Sequence, residues 1–313
     1  MVRFLPPSWA HLVTLAMQAR VQQDTASSTA VGMWKARPFA QVASPNRGYR
    51  IMSGSMPQKE ESQVVGPEYT PNFELRTAAD EERIPAEGAL RRLKNGNARF
   101  LNGASNMLKH WDMGMAGALA NQGQAPYAAV LGCADSRAPV ELIFDALPGD
   151  IFVLRNAGNT LTSAEGSMVG SLEFAVNALG VKLILVMGHS DCGAIKAATA
   201  AMLTAREAPE AQTPLDTLIE GLQPVVQQAQ LKKEQANGGQ ASAEEIARLA
   251  TAENTFANVE RLLIYSESIR EKVSSGEVQV HAGAYDVASG RVTFFGEHPQ
   301  LPLILGMRTT LKK

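Results

Sequence analysis

Apolar side chains recur at Leu90, Leu93 and Phe100 with Arg and Lys on the other face, and this spacing predicts an amphipathic helix over Ala86–Leu101. A short loop with Gly and Pro, Gln122–Pro126, leads into the first strand. Tyr127–Cys133 and Val181–Met187 are apolar runs without alternation, as expected of strands buried on both faces of a parallel sheet. Ile151–Arg155 reads as another strand. Glu165–Leu179 carries Met168, Leu172, Ala175, Val176 and Leu179 at helical spacing and is stopped by Gly180. From Gly193 the chain returns to helix, and the stripe Leu215, Leu218, Ile219, Leu222, Val225 and Val226 predicts a further core-facing helix. Gln235–Ser242, rich in Gly, Gln and Ala, reads as a loose surface connection. Ala243–Lys272 predicts one or two helices, and Val278–Ala284 with Arg291–Phe295 predicts a terminal strand pair joined across Asp286–Gly290. Because strand and helix alternate, the expected fold class is α/β. It has a central, mostly parallel β-sheet flanked by helices, right-handed crossovers and an N-terminal helical arm.

Length and composition narrow the class. The chain has 313 residues, 45% of them hydrophobic, which is enough for a sizeable core. A formal charge of -2 with no long basic block argues against nucleic acid and for a small neutral or anionic substrate. No run approaches the roughly 20 apolar residues that span a bilayer; the nearest, Phe4–Ala19, is interrupted by Pro6, Pro7 and His11. Residues 1–57 carry Arg3, Arg20, Lys35, Arg37, Arg47 and Arg50 against the single acid Asp24. That is the composition of a transit peptide, plastid being favoured over mitochondrion, or else of a tail on a cytoplasmic protein. The expected organisation is therefore transit peptide or tail at 1–57, linker or arm at 58–85, catalytic domain at 86–300 and a C-terminal tail at 301–313.

The chain has only two cysteines, which cannot build a disulfide framework and suit a reducing compartment. Each lies in a short polar cluster: Cys133-Ala134-Asp135-Ser136-Arg137, and His189-Ser190-Asp191-Cys192-Gly193-Ala194. Each cluster follows an apolar run ending in glycine, so parallel strands can bring the two together. Two thiolates and an imidazole form a three-ligand set for a borderline-soft ion, above all zinc, and leave a fourth position for water. The plainer reading is that both cysteines are small buried apolar residues. Asp and Arg two and four residues after one cysteine, and a histidine three before the other, have no place in that reading. A redox pair is the other alternative, and the C-x-x-C spacing of dithiol oxidoreductases is missing.

Cys-x-Asp-x-Arg, Pro139-x-Glu141, Pro148-Gly149-Asp150, Arg155-Asn156-Ala157-Gly158-Asn159 and Gly188-His-Ser-Asp-Cys-Gly193, in that order, resemble the β-class carbonic anhydrases. The resemblance runs from about Ala86 to about Phe295, and Gly96–Phe100 and the Tyr285–Gly290 turn fit it too. It implies reversible hydration of carbon dioxide to bicarbonate and a proton, with one Zn2+ per subunit on Cys133, His189 and Cys192. In such a site zinc-bound hydroxide attacks carbon, Asp135 orients it and Arg137 holds Asp135 bidentately. Two thiolates would leave the metal a weaker Lewis acid than three imidazoles do, so activity should rise toward alkaline pH.

The resemblance further places Gln124, Phe152 and Ala157 in the substrate pocket. Gly193 permits close approach, with its backbone N–H expected toward substrate, and Ser190 and Asp191, lying between two ligands, are expected to stabilise the loop or orient the ligands by hydrogen bonds. Taken alone, a loop Gln is usually solvated, a strand Phe is usually core, and an Asp/Arg pair is usually structural. Arg155 is expected to tie the Asn-Ala-Gly-Asn loop or a dimer contact. Members regulated by an inhibitory bicarbonate carry Trp three residues before the first cysteine ligand; Val130 stands there, which argues against that regulation. A second state is also implied, in which Asp135 itself ligates zinc. The expected partner is a second copy of the chain, in a homodimer or larger assembly. Alternatives are hydrolysis of CS2 or COS on the same site, or a non-catalytic zinc module, which leaves Asp135 and Arg137 without a purpose.

Overall fold

A computed structural model of the chain describes residues 76–306 apart from 81, 108–112, 162–165, 205–212 and 238. The transit-peptide or tail reading and most of the linker fall outside the described residues. The elements in order are α1 (Ala86–Leu101), α2 (Met113–Gln122), β1 (Ala128–Cys133), α3 (Val140–Ile143), β2 (Ile151–Asn156), a 3-10 turn (Ala157–Asn159), α4 (Ser167–Asn177), β3 (Leu183–His189), α5 (Gly193–Leu203), α6 (Pro214–Asn237), α7 (Ala243–Tyr265), α8 (Glu267–Ser274), β4 (Gln279–Tyr285), β5 (Val292–Gly296) and α9 (Leu301–Gly306).

The five strands form one sheet in the order β2-β1-β3-β4-β5, parallel except for β5, which runs antiparallel to β4. This is the expected fold class. The apolar runs behave as their pattern requires, because every residue of β1 and β3 is buried. One face of the sheet packs Leu131, Leu154, Ile184, Val186 and Val280 against Leu172 and Val176 of α4, Val259, Leu262 and Leu263 of α7, and Ile269 of α8. The opposite face packs Val130, Leu185, Met187 and Tyr285 against Leu93 of α1 and Ile143 of α3. Val130 is wholly buried there.

The Gly96–Phe100 stretch is an anchor of α1. A Cβ on Gly96 would lie 1.8 Å from the Phe144 carbonyl oxygen, so only glycine lets α1 cross at that depth. Beside it, Asn97 Nδ2 donates to the Gly290 carbonyl at 2.9 Å and Asn97 Oδ1 accepts from the Val292 N–H at 3.0 Å, tying α1 to the β4–β5 turn. Arg99 Nε reaches the fully buried Asp145 carboxylate at 2.6 Å.

Several elements differ from the sequence reading. Helix α2 carries apolar and small residues without a 3.6-residue period, and α3 is a single turn, so neither leaves a periodic trace. Ala243–Lys272 resolves into two helices because Ser266 leaves helical geometry and caps α8, its Oγ accepting from the Ile269 N–H. The loose connection starts later than expected, since α6 continues to Asn237. Packed structure also runs past position 300: α9 sets Ile304, 2% exposed, into the core.

His281 on β4 yields a prediction about acid stability. It is 7% exposed; its Nε2 meets Gln279 Oε1 at 3.0 Å, Gln279 in turn donates to Glu87 Oε1 of α1, and Nδ1 is buried without a hydrogen-bond partner. Burial first, then the Lys94 ammonium, lower its pKa, against a smaller opposing effect of Glu87. A histidine depressed in the folded state binds its proton more readily when unfolded. Folding stability is therefore complete above the ordinary value near 6.5 and falls as the pH drops from there toward the folded value. The His281→Gln variant should flatten that acid slope by up to about 1.4 kcal/mol per pH unit. Thermal melts of both proteins between about pH 5 and about pH 7, bracketing the ordinary histidine value, check this; parallel curves would remove His281 from the acid response.

Candidate metal centre

The strand order places the centre. From β1 the chain passes to β2 on one side and then to β3 on the other, so the carboxyl ends of β1 and β3 flank the crevice where an open α/β sheet takes its ligands. Cys133 is the last residue of β1 and His189 the last of β3. The chain then turns sharply through Ser190 and Asp191. Asp191 takes a left-handed φ of 60°, which Asp tolerates better than most residues, and the turn carries Cys192 back toward the strands. The Ser190 hydroxyl accepts from the Val287 N–H at 2.9 Å, and Asp191 pairs with Lys196 at 2.6 Å, so both serve the loop as expected.

One ligand atom each from Cys133, His189 and Cys192 lies within 4.8 Å of the others, and all three residues are buried. In one tetrahedral zinc site, with Zn–S near 2.3 Å and Zn–N near 2.1 Å, ligand atoms stand about 3.5–3.8 Å apart, a separation this cluster can adopt. The donor set fits the ion in its chemistry too. His189 Nδ1 lies 2.9 Å from the Ser190 carbonyl oxygen, which can only accept, so the ring proton is on Nδ1. Nε2 is then a bare lone pair, buried and without a hydrogen-bond partner, which is what a metal-ligating nitrogen requires.

The sulfurs are prepared for the thiolate form. Cys133 Sγ accepts from the Asp135 and Gly158 N–H groups at 3.4 Å each. Its pKa is pushed well down, first by the hydrogen bond from Cys192, then by His189 and these amides, against the opposing effect of burial. Cys192 is pushed up, chiefly because its thiol donates its proton in a hydrogen bond to the Cys133 sulfur and so keeps it, and then by burial. A dication between the two sulfurs removes that hydrogen bond, and Cys192 stands at the N-terminus of α5, where the helix dipole favours negative charge.

Asp135 and Arg137 are joined as the sequence predicts. Arg137 Nε donates to Oδ1 at 3.0 Å, one terminal nitrogen donates to Oδ2 at 2.7 Å, and the Arg137 backbone N–H adds a bond to Oδ1 at 2.9 Å. The same terminal nitrogen also reaches the Asp191 carbonyl at 3.0 Å, linking the two cluster loops. These bonds hold the Asp135 carboxyl well below the usual carboxylate range. Its Oδ2 lies 3.8 Å from His189 Nε2, too far for a hydrogen bond.

Arg155 does something more specific than the expected tie to its own loop. From β2 it donates through Nε to the Cys133 carbonyl at 2.7 Å and through a terminal nitrogen to the Asp135 carbonyl, clamping the backbone that carries both residues.

The pocket residues divide into two groups. Ala157 directly follows Asn156, the register partner of Cys133, and is exposed at the rim. Gly193 is exposed beside Cys192, and a Cβ there would meet nothing within 4 Å, so the space next to it is open. Gln124 and Phe152 are elsewhere. Gln124 precedes β1, and Phe152 pairs with Ala129 near the amino end of the sheet, whereas Cys133 closes the carboxyl end. The strand between them is about 17 Å long. Phe152 packs on the core, its ring 6.2 Å from that of the half-exposed Phe174. Within one subunit neither residue reaches the cluster.

Comparison with known proteins agrees with this geometry. The family model described as carbonic anhydrase matches residues 128–292. Carbonic anhydrase 2 of Mycobacterium tuberculosis is 46% identical over 114 residues, 36% of this chain, and the match spans 53% of that relative's length. The carbonic anhydrase of Mycolicibacterium smegmatis is 33% identical over 205 residues, 65% of this chain and 90% of the relative. The solved structure of the β-carbonic anhydrase CafA of Aspergillus fumigatus superposes with a TM-score of 0.50 at 27% identity, covering 70% of this chain and 96% of that one. Fold, strand-end cluster and matched span together show that the chain belongs to the β-class carbonic anhydrase family.

Proposed function

We propose that this protein catalyses the reversible hydration of carbon dioxide to bicarbonate and a proton. The observation that carries the reading is the convergence of Cys133, His189 and Cys192, with His189 Nε2 unsatisfied, beside a carboxylate locked by Arg137. Cys133, His189 and Cys192 would hold zinc, the metal of this family, and their two thiolates would offset its charge. A zinc ion held there would act as a Lewis acid and bring the pKa of a bound water from about 15.7 toward about 7.

Asp135 stays ionised across the working range and accepts a hydrogen bond from the attacking oxygen, which leaves that oxygen's lone pair facing carbon. Arg137 fixes the direction of the carboxylate, and Arg155 fixes the backbone beneath it. Carbon dioxide is apolar and becomes an anion as it reacts, so the pocket needs an oily wall and a hydrogen-bond donor. Phe152 and Gln124 have that chemistry but stand at the wrong end of their own sheet, and β2 is an edge strand with Phe152 and half-exposed Phe174 along it. The chain therefore works as a homodimer or larger homo-oligomer in which Gln124 and Phe152 of one subunit complete the centre of the other. Among the described residues no helix is long and apolar enough to cross a membrane. Residues 1–57, rich in base and poor in acid, support delivery to a plastid or mitochondrion; fluorescence from a fusion carrying this segment, confined to the cytosol, would refute it.

Stopped-flow measurement of CO2 hydration, with zinc content determined on the same sample, tests the function. The rate should climb from about pH 6.5 to about pH 9, a window that brackets the metal-lowered value for water. A zinc-loaded protein without hydration activity overturns the proposal, and a flat or falling profile contradicts the charge argument.

Subunit mixing tests the shared pocket. Gln124→Leu and Cys133→Ser, each feeble alone, should regain about a quarter of full activity when unfolded together and refolded at equal amounts, since half the dimers then carry one intact centre. No recovery beyond the separate activities, or a monomer by light scattering, would remove the partner's role.

A further inference from the structure

Asn254 and Asn258 sit one turn apart on the inner face of α7, 1% and 0% exposed, next to Val259, Leu262 and Leu263 of the core. A buried carboxamide is costly unless its donors and acceptors are matched, and an apolar residue is the simpler filling for such a position. Here the matching is directed at one loop. Asn254 Nδ2 donates to the Gly158 carbonyl at 2.8 Å. Asn258 Nδ2 donates to the Asn254 backbone carbonyl at 2.8 Å and to Asn254 Oδ1 at 3.0 Å, which fixes the way the Asn254 amide faces. Asn258 Oδ1 then accepts from the Leu161 N–H at 2.9 Å.

Both ends of the segment from Gly158 to Leu161 are thus moored to α7. The segment needs it, because Gly158 and Asn159 both adopt left-handed backbone, at φ 72° and 44°, and the second of these is a conformation side-chain-bearing residues avoid. Asn156 braces the same turn from its near side, exchanging two hydrogen bonds with the Thr160 backbone. The outcome of this scaffolding is a single aimed group: the Gly158 N–H, on Cys133 Sγ at 3.4 Å.

We propose that Asn254, locked by Asn258, is a positioning residue for the metal centre, holding the Gly158 N–H against the Cys133 sulfur. The proposal rests on the zinc reading of the cluster. An N–H aimed at a ligand sulfur directs its lone pairs and draws off part of its negative charge, and such supporting contacts govern how tightly a metal is held.

The test uses the full chain and three variants. Asn254→Leu keeps the branching of the side chain and deletes the donor; Asn254→Asp keeps the shape and, as a carboxylate, cannot donate to Gly158. Val259→Ala trims the apolar core on the same helix and serves as a control for general loosening. Zinc affinity is read by competition with a chromophoric chelator, and Co2+-substituted protein is read by its sulfur-to-metal charge-transfer absorption. Both Asn254 variants should lose about 10- to 100-fold in zinc affinity and shift the charge-transfer band. Val259→Ala should melt earlier yet keep affinity and band. Asn254 variants that hold zinc within about threefold of the parent, or a control that loses as much, overturn the proposal. A parent that fails to bind one zinc per chain refutes the zinc reading itself, whereas a zinc-binding parent with indifferent Asn254 variants refutes this inference alone.

Discussion

Cys133→Ser is expected to abolish CO2 hydration, with a loss of roughly a thousandfold or more, equivalent to about 4 kcal/mol of barrier. A serine hydroxyl stays protonated at neutral pH and is a hard, weak donor for a borderline-soft ion, whereas the Cys133 sulfur is favoured as thiolate by Cys192, His189 and two backbone amides. With one of three ligands gone, zinc should leave, and the remaining Cys192 and His189 face each other without a dication. The fold should survive, because the two larger cores on the sheet faces do not include Cys133, which belongs to a smaller one with Ile195 and Leu222, and the substitution is nearly isosteric. Metal analysis and stopped-flow rates on the same folded sample decide the matter. A variant that keeps full zinc and near-parental rates would take Cys133 out of the centre.

Asp135→Asn should separate metal binding from catalysis. Zinc content should remain at one per chain while kcat falls about 100-fold, the scale set by misorienting one reacting group. The amide matches the carboxylate in size but offers Arg137 only one acceptor oxygen in place of the two that now receive its fork, and its NH2 faces a donor. Stability should change little, since exposed ion pairs contribute about 0–1 kcal/mol and Arg137 is 46% exposed. The loss should also be uniform with pH. Arg137 keeps the parental carboxyl ionised far below the assay range, so the pair does not titrate within it. A near-parental kcat, or a loss explained by missing zinc, would show that Asp135 orients nothing.

Much of this molecule can be read from its chain, and the unread parts have physical reasons. Strands β1 and β3 are legible because burial on both faces leaves unbroken apolar runs. The cluster is legible because ligand chemistry restricts which residues can serve, and Asp135 and Arg137 stand within four residues of Cys133. Gln124 is the instructive case. Nine residues separate it from Cys133, yet an extended strand converts that short interval into the whole length of the sheet, so nearness in sequence misleads. Helix α9 hides in a run too short to show a period, although Ile304 belongs to the core. Asn254 and Asn258 did leave a signal, two amides spaced by four on the buried face of a helix, whose meaning needs the position of Gly158. Arg155 had its family stretch but not its target, because the Cys133 and Asp135 carbonyls come alongside only through strand pairing.

The distance along β1 between Gln124 and Cys133 also bears on how output scales with expression. Where a working centre needs parts from two chains, isolated chains are inert, and below the dissociation constant of the pair turnover grows with the square of chain concentration. In the proposed shared-centre dimer, halving synthesis would cut flux fourfold, so scarcity would silence the protein more abruptly than a self-sufficient monomer would allow.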